Sequence, residues 1–120
     1  MRAMIRSNDM NIAINIIGDR VGSGLGKAQT MAVAHIVDGA ITSWDEYEVG
    51  WNLLHGQGPE GTHHARIVRF MREHAITAVV TGHMGAPMVN TLTKLGVRPV
   101  VNISGDARQG ALTAVEILNN

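Results

Sequence analysis

A chain of 120 residues with 45% hydrophobic and 17% charged side chains predicts a single globular domain and excludes intrinsic disorder. Its ten basic and ten acidic residues cancel, which excludes the basic excess that nucleic-acid binding normally needs. The absence of cysteine excludes disulfides and thiolate ligands, so a bound metal must rely on His, carboxylate, Met or backbone groups.

The chain also lacks the sequence signals of a membrane or secreted protein. No apolar run approaches the roughly 20 residues that a membrane-spanning helix needs. The first nine residues contain no apolar segment of the kind found in signal peptides. We therefore expect a cytoplasmic protein with one domain, whose core occupies residues 10–118.

The first half of the chain predicts an antiparallel meander of three strands. Met10–Ile17 and Thr30–Val37 are short β-rich runs, and a third run covers residues 41–49. The Asp-Gly pair between the second and third runs is a strong hairpin signal. Residues 50–61 contain four glycines and a proline, which predicts a long loop of the kind that is often functional.

The second half of the chain alternates helices with strands. In chain order the predicted elements are a helix at residues 63–74 capped by Thr62, a strand at 76–81, a helix from Pro87 to Gly96, a strand at 97–103 and a helix capped by Asp106. Pro99 places the last strand at an edge, because proline cannot donate a ladder hydrogen bond. The order β-β-β-α-β-α-β-α predicts a mixed five-stranded sheet with helices on its faces, as in the ribonuclease H-like motif.

The residues on these strands do not support nuclease or nucleotide chemistry. Nucleases with this order place metal-binding carboxylates on the first and fourth strands, and neither predicted strand contains an acid. Asp45, Glu46 and Glu48 share one hairpin strand, where alternation divides them between two faces. The glycine-rich residues 22–27 fail as a phosphate loop, because its leading glycine and its Ser or Thr after the lysine are both absent.

Histidines supply the strongest candidate site. Four of the six lie in or beside the loop-like segments, namely His55, His63, His64 and His83. His83 follows a buried strand and precedes a helix, the position where α/β sheets usually bind ligands. Its neighbours Gly82 and Gly85 let the backbone approach a bulky ligand closely. If residues 50–61 fold over this end of the sheet, the four histidines converge.

Structural roles stay open for these residues. Loops and helix starts often hold solvent-exposed histidines, and no HxxxH or HExxH spacing strengthens the cluster. Met84 suits either a core position or a soft ligand, whereas Met88 is better explained as core. We expect His35 and His74 to be structural.

Three segments carry a family resemblance: the strand at residues 10–14, the turn that ends in Gly26, Lys27 and Ala28, and residues 81–85 followed by a helix. They resemble the dinitrogenase iron–molybdenum cofactor biosynthesis family, and the similarity extends over residues 11–115. The resemblance implies a ribonuclease H-like fold without nuclease activity. It also implies an anionic iron–sulfur or molybdenum-containing cluster that is bound and then released to a protein partner.

The resemblance bears on the site residues as well. The family's turn often reads His-Phe-Gly-Arg-Ala, and its histidine is a proposed cluster ligand. The matching position here is Gly24, whereas the basic residue of the turn is kept as Lys27. The candidate cofactor contacts are therefore Gly82, His83, Met84, Gly85 and Lys27. The candidate metal ligands are His83, which is the best single site residue, with His63, His64 and His55.

These observations give one leading hypothesis and two alternatives. The leading hypothesis is a non-catalytic carrier of an iron–sulfur or molybdenum–iron type cluster, or of its anionic precursor. The second is a protein-interaction or regulatory module of the same fold that has lost metal binding. The third, an enzyme that uses His83 as an acid–base, lacks an evident carboxylate partner or nucleophile, so we expect a non-enzyme. The sequence leaves the oligomeric state open, with a homodimer as one option.

Overall fold

Six strands and four α-helices make up the parts of the chain that the computed structural model describes, residues 9–54 and 60–119. The strands are β1 (Met10–Ile17), β2 (Arg20–Val21), β3 (Thr30–Val37), β4 (Ala40–Glu48), β5 (Ala78–Val80) and β6 (Arg98–Val100). The helices are α1 (Trp51–Leu54), α2 (Glu60–Glu73), α3 (Ala86–Leu95) and α4 (Ala107–Leu118), with a 3-10 turn at Leu25–Lys27. None of these helices combines the length and apolarity that a bilayer crossing requires.

The strands form one mixed sheet in the order β4-β3-β1-β5-β6, with β2 paired to β1. β1 pairs antiparallel with β3, and β3 with β4, which confirms the predicted meander. Asp38 and Gly39 adopt φ angles of 52° and 79°, as the predicted hairpin turn requires. β1 pairs parallel with β5, and β5 with β6, so Pro99 lies on an edge strand as predicted. The α/β fold class is confirmed, and its ribonuclease H-like designation stays a prediction.

Side-chain alternation along β1 divides the core between the two faces of the sheet. Ile12, Ile14 and Ile16 belong to the cluster covered by α4, whereas Ala13 belongs to the cluster covered by α2 and α3. All four side chains are buried. An apolar stripe of α4 packs on the first of these faces and consists of Ala107, Ala111, Val115 and the partly buried Leu118.

The segment predicted as a long loop, residues 50–61, is partly helical. Its start forms α1, and α2 begins two residues before Thr62, so the prediction that Thr62 caps this helix was wrong. Residues 55–59 lie outside the described residues. Trp51 accounts for the helical start, because its buried ring packs edge-on against Phe70 with 5.6 Å between the ring centroids. Such a tertiary contact cannot be read from a count of glycines.

Two strands are shorter than predicted, and one strand was not predicted. β5 and β6 contain three residues each. Ala75 has a positive φ angle of 51°, which turns the chain before β5. Asn102 has a positive φ angle of 63°, which turns the chain after β6. β2 is a two-residue strand that turns back onto the end of β1, directly before the glycine-rich residues 22–27, and the sequence predicted no strand there.

The helix α4 begins with the N-cap that its sequence predicts. The Gln109 backbone N–H donates a hydrogen bond of 2.9 Å to the Asp106 Oδ2. Because this bond satisfies an otherwise unpaired helix donor, we expect Asp106→Ala to lower the free energy of unfolding by about 1 kcal/mol. Urea denaturation followed by circular dichroism measures the change, with the exposed Asp45→Ala of β4 as control. Equal midpoints for the two variants contradict the capping role.

Candidate functional site

Two glycine-rich turns lie together at one end of the sheet. The first glycine turn (residues 22–27) follows β2, and the second glycine turn (residues 82–86) follows β5 closely. β1 and β5 are parallel, so the segments that leave their carboxyl ends share one edge of the sheet. In α/β sheets this edge is the usual place for a ligand. The fold therefore places both glycine-rich segments where a site is expected.

Backbone hydrogen bonds join the two turns. The Gly82 N–H donates to the Gly22 carbonyl at 2.9 Å. The Leu25 N–H donates to the His83 carbonyl at 3.1 Å. A Cβ atom at position 82 would lie 2.9 Å from the Ser23 carbonyl oxygen and 3.0 Å from the Ser23 Cα. Glycine is therefore required at position 82 for the two backbones to approach this closely.

A buried polar pair lies at the junction of the turns. Asn15 and Thr81 are 2% and 0% exposed, respectively. The Asn15 Nδ2 donates to the Thr81 Oγ1 at 3.1 Å. The Thr81 hydroxyl in turn lies 3.4 Å from the Gly22 and His83 carbonyl oxygens, one in each turn. These bonds connect the ends of β1 and β5 to both turns, so the turns are held as one unit.

A cleft of about 160 Å³ lies between α2 and the second glycine turn. We call it the histidine cleft, and its lining residues are Gly26, His63, His64, Ile67, Met84, Gly85, Pro87 and Met88. His63 is buried, and its Nε2 donates a hydrogen bond of 2.7 Å to the Gly26 carbonyl. His64 is only partly buried, so its imidazole is accessible. Imidazole and thioether groups are ligands that suit transition metals.

A second cleft, of about 270 Å³, borders the first glycine turn. We call it the lysine cleft, and its lining residues are Asn15, Ile17, Ser23, Gly24, Lys27, Ala28, Gln29 and Asn52. Lys27 is exposed and is the one charged side chain among these described residues. The two clefts share no lining residue, although the first glycine turn contributes to both.

Sequence comparison places the chain in a family. The family described as dinitrogenase iron–molybdenum cofactor has a sequence model that matches residues 9–116. The chain belongs to that family. The assignment confirms the resemblance drawn from the strand at residues 10–14 and from residues 81–85. No curated protein matches the chain in sequence.

Solved structures share the fold of this member of the dinitrogenase iron–molybdenum cofactor family. The crystal structure of PH0822 superposes with a TM-score of 0.71 at 17% identity, over 89% of this chain and 89% of that chain. The apo form of the orange protein from Desulfovibrio gigas gives 0.67 at 17% identity, over 92% and 88% of the two chains. MJ0327 from Methanocaldococcus jannaschii gives 0.59 at 16% identity, over 94% and 91%. At these identities the likeness establishes the fold alone.

The site residues predicted for this family member divide between the two clefts. His63, His64, Met84 and Gly85 line the histidine cleft, whereas Lys27 lines the lysine cleft. Met84 belongs at the same time to the buried core cluster, which agrees with the core role considered for it, whereas its role as a soft ligand stays a prediction. The sequence analysis assigned Lys27 and the histidines to one site. In the structure Lys27 lines one cleft, whereas His63 and His64 line the other.

The remaining predicted site residues lie on the second glycine turn or beyond the described part of the chain. Gly82 and His83 form the junction with the first turn, and the His83 side chain is exposed. His55 is among the residues outside the description. Across residues 9–54 and 60–119, no three His, Cys, Asp or Glu side chains are grouped so that they could hold one metal ion. Met88 lies in the core, as predicted.

Sequence reasoning missed the three amide side chains in the lining of the lysine cleft, Asn15, Gln29 and Asn52. A signal for Asn15 was available, because it is a lone amide among the apolar residues 12–17 of a buried strand. Polar side chains in such positions need partners, and they often have a specific role. Gln29 and Asn52 gave no such signal, since exposed amides are common on protein surfaces.

Proposed function

We propose that the chain is a non-catalytic binding and carrier module for an iron–sulfur or molybdenum–iron type cluster, or for its anionic precursor. The observation that carries the proposal is the histidine cleft, in which two consecutive histidines of α2 face the second glycine turn. Membership of the dinitrogenase iron–molybdenum cofactor family supports a cluster as the cargo. In this proposal the protein works in the cytoplasm and delivers the cluster to a protein partner.

His64 and His83 are the proposed cluster contacts. Both side chains are accessible, His64 in the lining of the histidine cleft and His83 on the second glycine turn. His63 has a different role, because its Nε2–H is engaged by the Gly26 carbonyl and so ties the first glycine turn to α2. Met84 adds a polarisable thioether to the same lining.

The start of α3 suits an anionic cargo. Gly85 is the N-cap of this helix and makes no side-chain cap bond, so no side chain of the cap satisfies the first N–H groups. A helix N-terminus of this kind attracts negative charge. Gly85 also lines the histidine cleft and has no side chain that would hold a bulky cluster away from these donors.

A carrier must release its cargo, and a small number of protein ligands serves that need. The described residues contain no group of three side chains around one metal ion. We therefore propose that the cluster arrives preassembled and keeps most of its own ligands. In this proposal one or two imidazole groups and the helix N–H groups hold the cluster. A partner protein that offers more ligands binds the cluster more tightly and can therefore remove it.

Cluster uptake tests the proposal directly. Protein purified without oxygen is offered an iron–sulfur or a molybdenum–iron cluster, and bound iron, molybdenum and sulfide are measured together with the visible spectrum. We expect stoichiometric uptake by the unaltered chain. His64→Ala and His83→Ala should each weaken the affinity at least about tenfold, equivalent to roughly 1.4 kcal/mol. His35→Ala is the control, because this exposed histidine bonds to Asn11 at 2.6 Å and lines neither cleft.

Two outcomes contradict the carrier proposal. One is the absence of uptake by a folded sample, and the other is undiminished uptake by the double variant of His64 and His83. The first outcome favours a second candidate function, an interaction or regulatory module that has kept the fold without a metal cargo. Ile17 and Leu53 support this candidate, because they are 69% and 73% exposed and lie on or next to the lining of the lysine cleft.

A further inference from the structure

The mixed sheet ends in two different edges, the three-residue strand β6 and the nine-residue strand β4. In β6 the Arg98 N–H donates to the Thr77 carbonyl of the segment that enters β5. The Val100 carbonyl accepts from the Thr81 N–H at the other end of β5. Pro99 lies between them, faces outward and has no N–H to donate. β6 is therefore a poor template for a further strand, whereas β4 contains no proline.

The hydrogen-bond pattern between β3 and β4 shows which backbone groups of β4 face outward. The Val49 N–H, directly after β4, donates to the Gln29 carbonyl at 2.9 Å. These two residues continue by one step the register in which Thr30 lies opposite Glu48. Hydrogen-bonded pairs alternate with non-bonded pairs in an antiparallel ladder, so the pair of Thr30 and Glu48 is a non-bonded one. The residues whose N–H and C=O groups point away from β3 are therefore Trp44, Glu46 and Glu48.

The outer edge of β4 is regular, and no described strand pairs with it. Its pairing with β3 is continuous over residues 43–48, and the register shifts only between His35 and Ile36. Within residues 43–48, Trp44 and Tyr47 are partly buried and the other side chains are exposed. Three N–H and three C=O groups at alternate positions thus present the hydrogen-bonding pattern that an added strand requires.

This outer edge is acidic. The charged side chains of β4 are Asp45, Glu46 and Glu48. The Trp44 Nε1–H donates to the Glu46 Oε2 at 2.9 Å, and the Thr30 hydroxyl donates to the Glu48 Oε1 at 2.7 Å. Arg108 of α4 contacts the strand through the Trp44 ring, 4.4 Å from its centroid, rather than through a carboxylate. Both glutamates are therefore held in place by neutral donors and keep their negative charge at the edge.

The charge of β4 selects the kind of strand that can be added. A second copy of the chain would bring the same three carboxylates to the new seam, and like charges on neighbouring strands destabilise pairing. Charged residues on edge strands commonly prevent self-association in this way. A basic strand meets the opposite situation. Side chains of paired residues project to the same face, so lysines or arginines at alternate positions can lie opposite Glu46 and Glu48.

We propose that β4 is a docking edge for an extended basic segment of a partner protein, which adds to the sheet as an outer strand. Trp44, Glu46 and Glu48 exchange main-chain hydrogen bonds with that segment, and the two glutamates pair with its lysines or arginines. The main-chain bonds supply affinity and the charges supply specificity. No residue of β4 lines either cleft. The inference goes beyond the proposed carrier function and does not depend on it.

Hydrogen exchange in the presence of a defined peptide tests this inference on the full chain. The probe is a peptide of about eight residues that alternates lysine and valine and has blocked ends. The control peptides alternate glutamate and valine, or carry a central proline, all at constant ionic strength. Amide exchange is followed by proton–nitrogen NMR spectra. We expect only the probe to slow exchange at Trp44, Glu46 and Glu48, by at least about tenfold, because only these N–H groups gain a partner.

Matched glutamine variants test the charge contribution. Glu46→Gln combined with Glu48→Gln keeps an acceptor oxygen on each side chain but removes both charges, so the probe should bind at least about tenfold more weakly. The control combines Glu73→Gln with Glu116→Gln, two exposed glutamates on helices α2 and α4. The proposal is overturned if the probe leaves exchange at the three edge amides unchanged, or if the two double variants bind it with equal affinity.

A proline variant tests the main-chain bonds separately from the charge. Glu48→Pro and Glu48→Gln both lack the carboxylate, but only the first also lacks the outward N–H. Proline is tolerated on an edge strand where the N–H faces solvent, and circular dichroism verifies the fold. We expect the folded proline variant to bind the probe several-fold more weakly than Glu48→Gln, and equal affinity overturns strand addition. If the proline variant does not fold, exchange at the three edge amides and the glutamine variants still decide the question.

The unaltered chain without peptide gives the test for a second copy as the occupant. We expect exchange at Trp44, Glu46 and Glu48 to be independent of protein concentration, because the acidic strand does not pair with itself. Exchange that slows at these three amides as the concentration rises shows that β4 pairs with β4 of another copy. That result overturns the assignment of a basic partner segment.

Discussion

Replacing Gly82 with alanine is expected to lower the free energy of unfolding by about 1–3 kcal/mol, the usual cost of forcing an extra carbon into a packed site. The added Cβ would lie 2.9 Å from the Ser23 carbonyl oxygen and 3.0 Å from the Ser23 Cα. Both are backbone atoms, so the first glycine turn has to move away. That movement weakens the hydrogen bond from the Gly82 N–H to the Gly22 carbonyl. Urea denaturation followed by circular dichroism measures the loss.

Gly24→Ala is the matched control for this substitution. Gly24 belongs to the facing turn and has an extended backbone, with φ −136° and ψ 123°. No atom lies within 4 Å of a Cβ placed there. We expect the control to be as stable as the unaltered chain or slightly more stable, because alanine restricts the unfolded chain. If both variants unfold at the same urea concentration, close packing of the two turns is not what stabilises this end of the sheet.

The substitution Gly24→His is expected to strengthen cluster binding at least about tenfold, roughly 1.4 kcal/mol. The family resemblance drawn from the sequence matches this position to the histidine of the family's turn, which is the reason for choosing it. Gly24 and His83 form a parallel bridge, and residues paired in this way project side chains to the same side of the backbone. The new imidazole would therefore stand beside His83 and add a further ligand to the proposed contacts of His64 and His83. Titration with the preformed cluster, followed by the visible spectrum, measures the gain.

Gly24→Gln separates ligation from the other effects of filling position 24. Glutamine has a polar side chain of similar length but no imidazole, so we expect it to bind the cluster no better than the unaltered chain. Equal gains for the two variants would show that the improvement does not come from an imidazole ligand. No gain for the histidine variant would argue against a cluster bound beside His83 and would leave His64 as the remaining proposed contact.

Local patterns predicted most of the sheet, because the antiparallel strands are specified by short-range chemistry. The apolar run of β1 and the hairpin turn at Asp38 and Gly39 each depend on neighbouring residues, and both were found where predicted. The errors arose where distant contacts decide the conformation. Trp51 lies in a glycine-rich segment but forms a helical turn because it packs on Phe70, which follows it by nearly twenty residues.

The site was predictable in outline for a topological reason. Parallel strands bring the segments after β1 and β5 to one edge, so the meeting of the two glycine turns follows from the order of the elements. The division into two clefts could not be predicted in this way. It depends on the direction of individual side chains, with His63 turned to the Gly26 carbonyl and Lys27 lining the other cleft. Sequence spacing does not contain that information.

Strand β1 is the first of the described strands to be synthesised, yet it lies in the middle of the sheet. The nascent chain can pair β1 with β3 and β3 with β4, yet the helices α2, α3 and α4 that cover the two faces of these strands are synthesised only later. Ile12, Ile14 and Ile16 are the last of these side chains to be buried, because α4, which packs against them, is the last described helix to be synthesised. A polypeptide that terminates before Ala107 keeps all six described strands and leaves that face bare. We expect such truncated chains to be recognised by chaperones and degraded rather than to persist as a smaller folded protein.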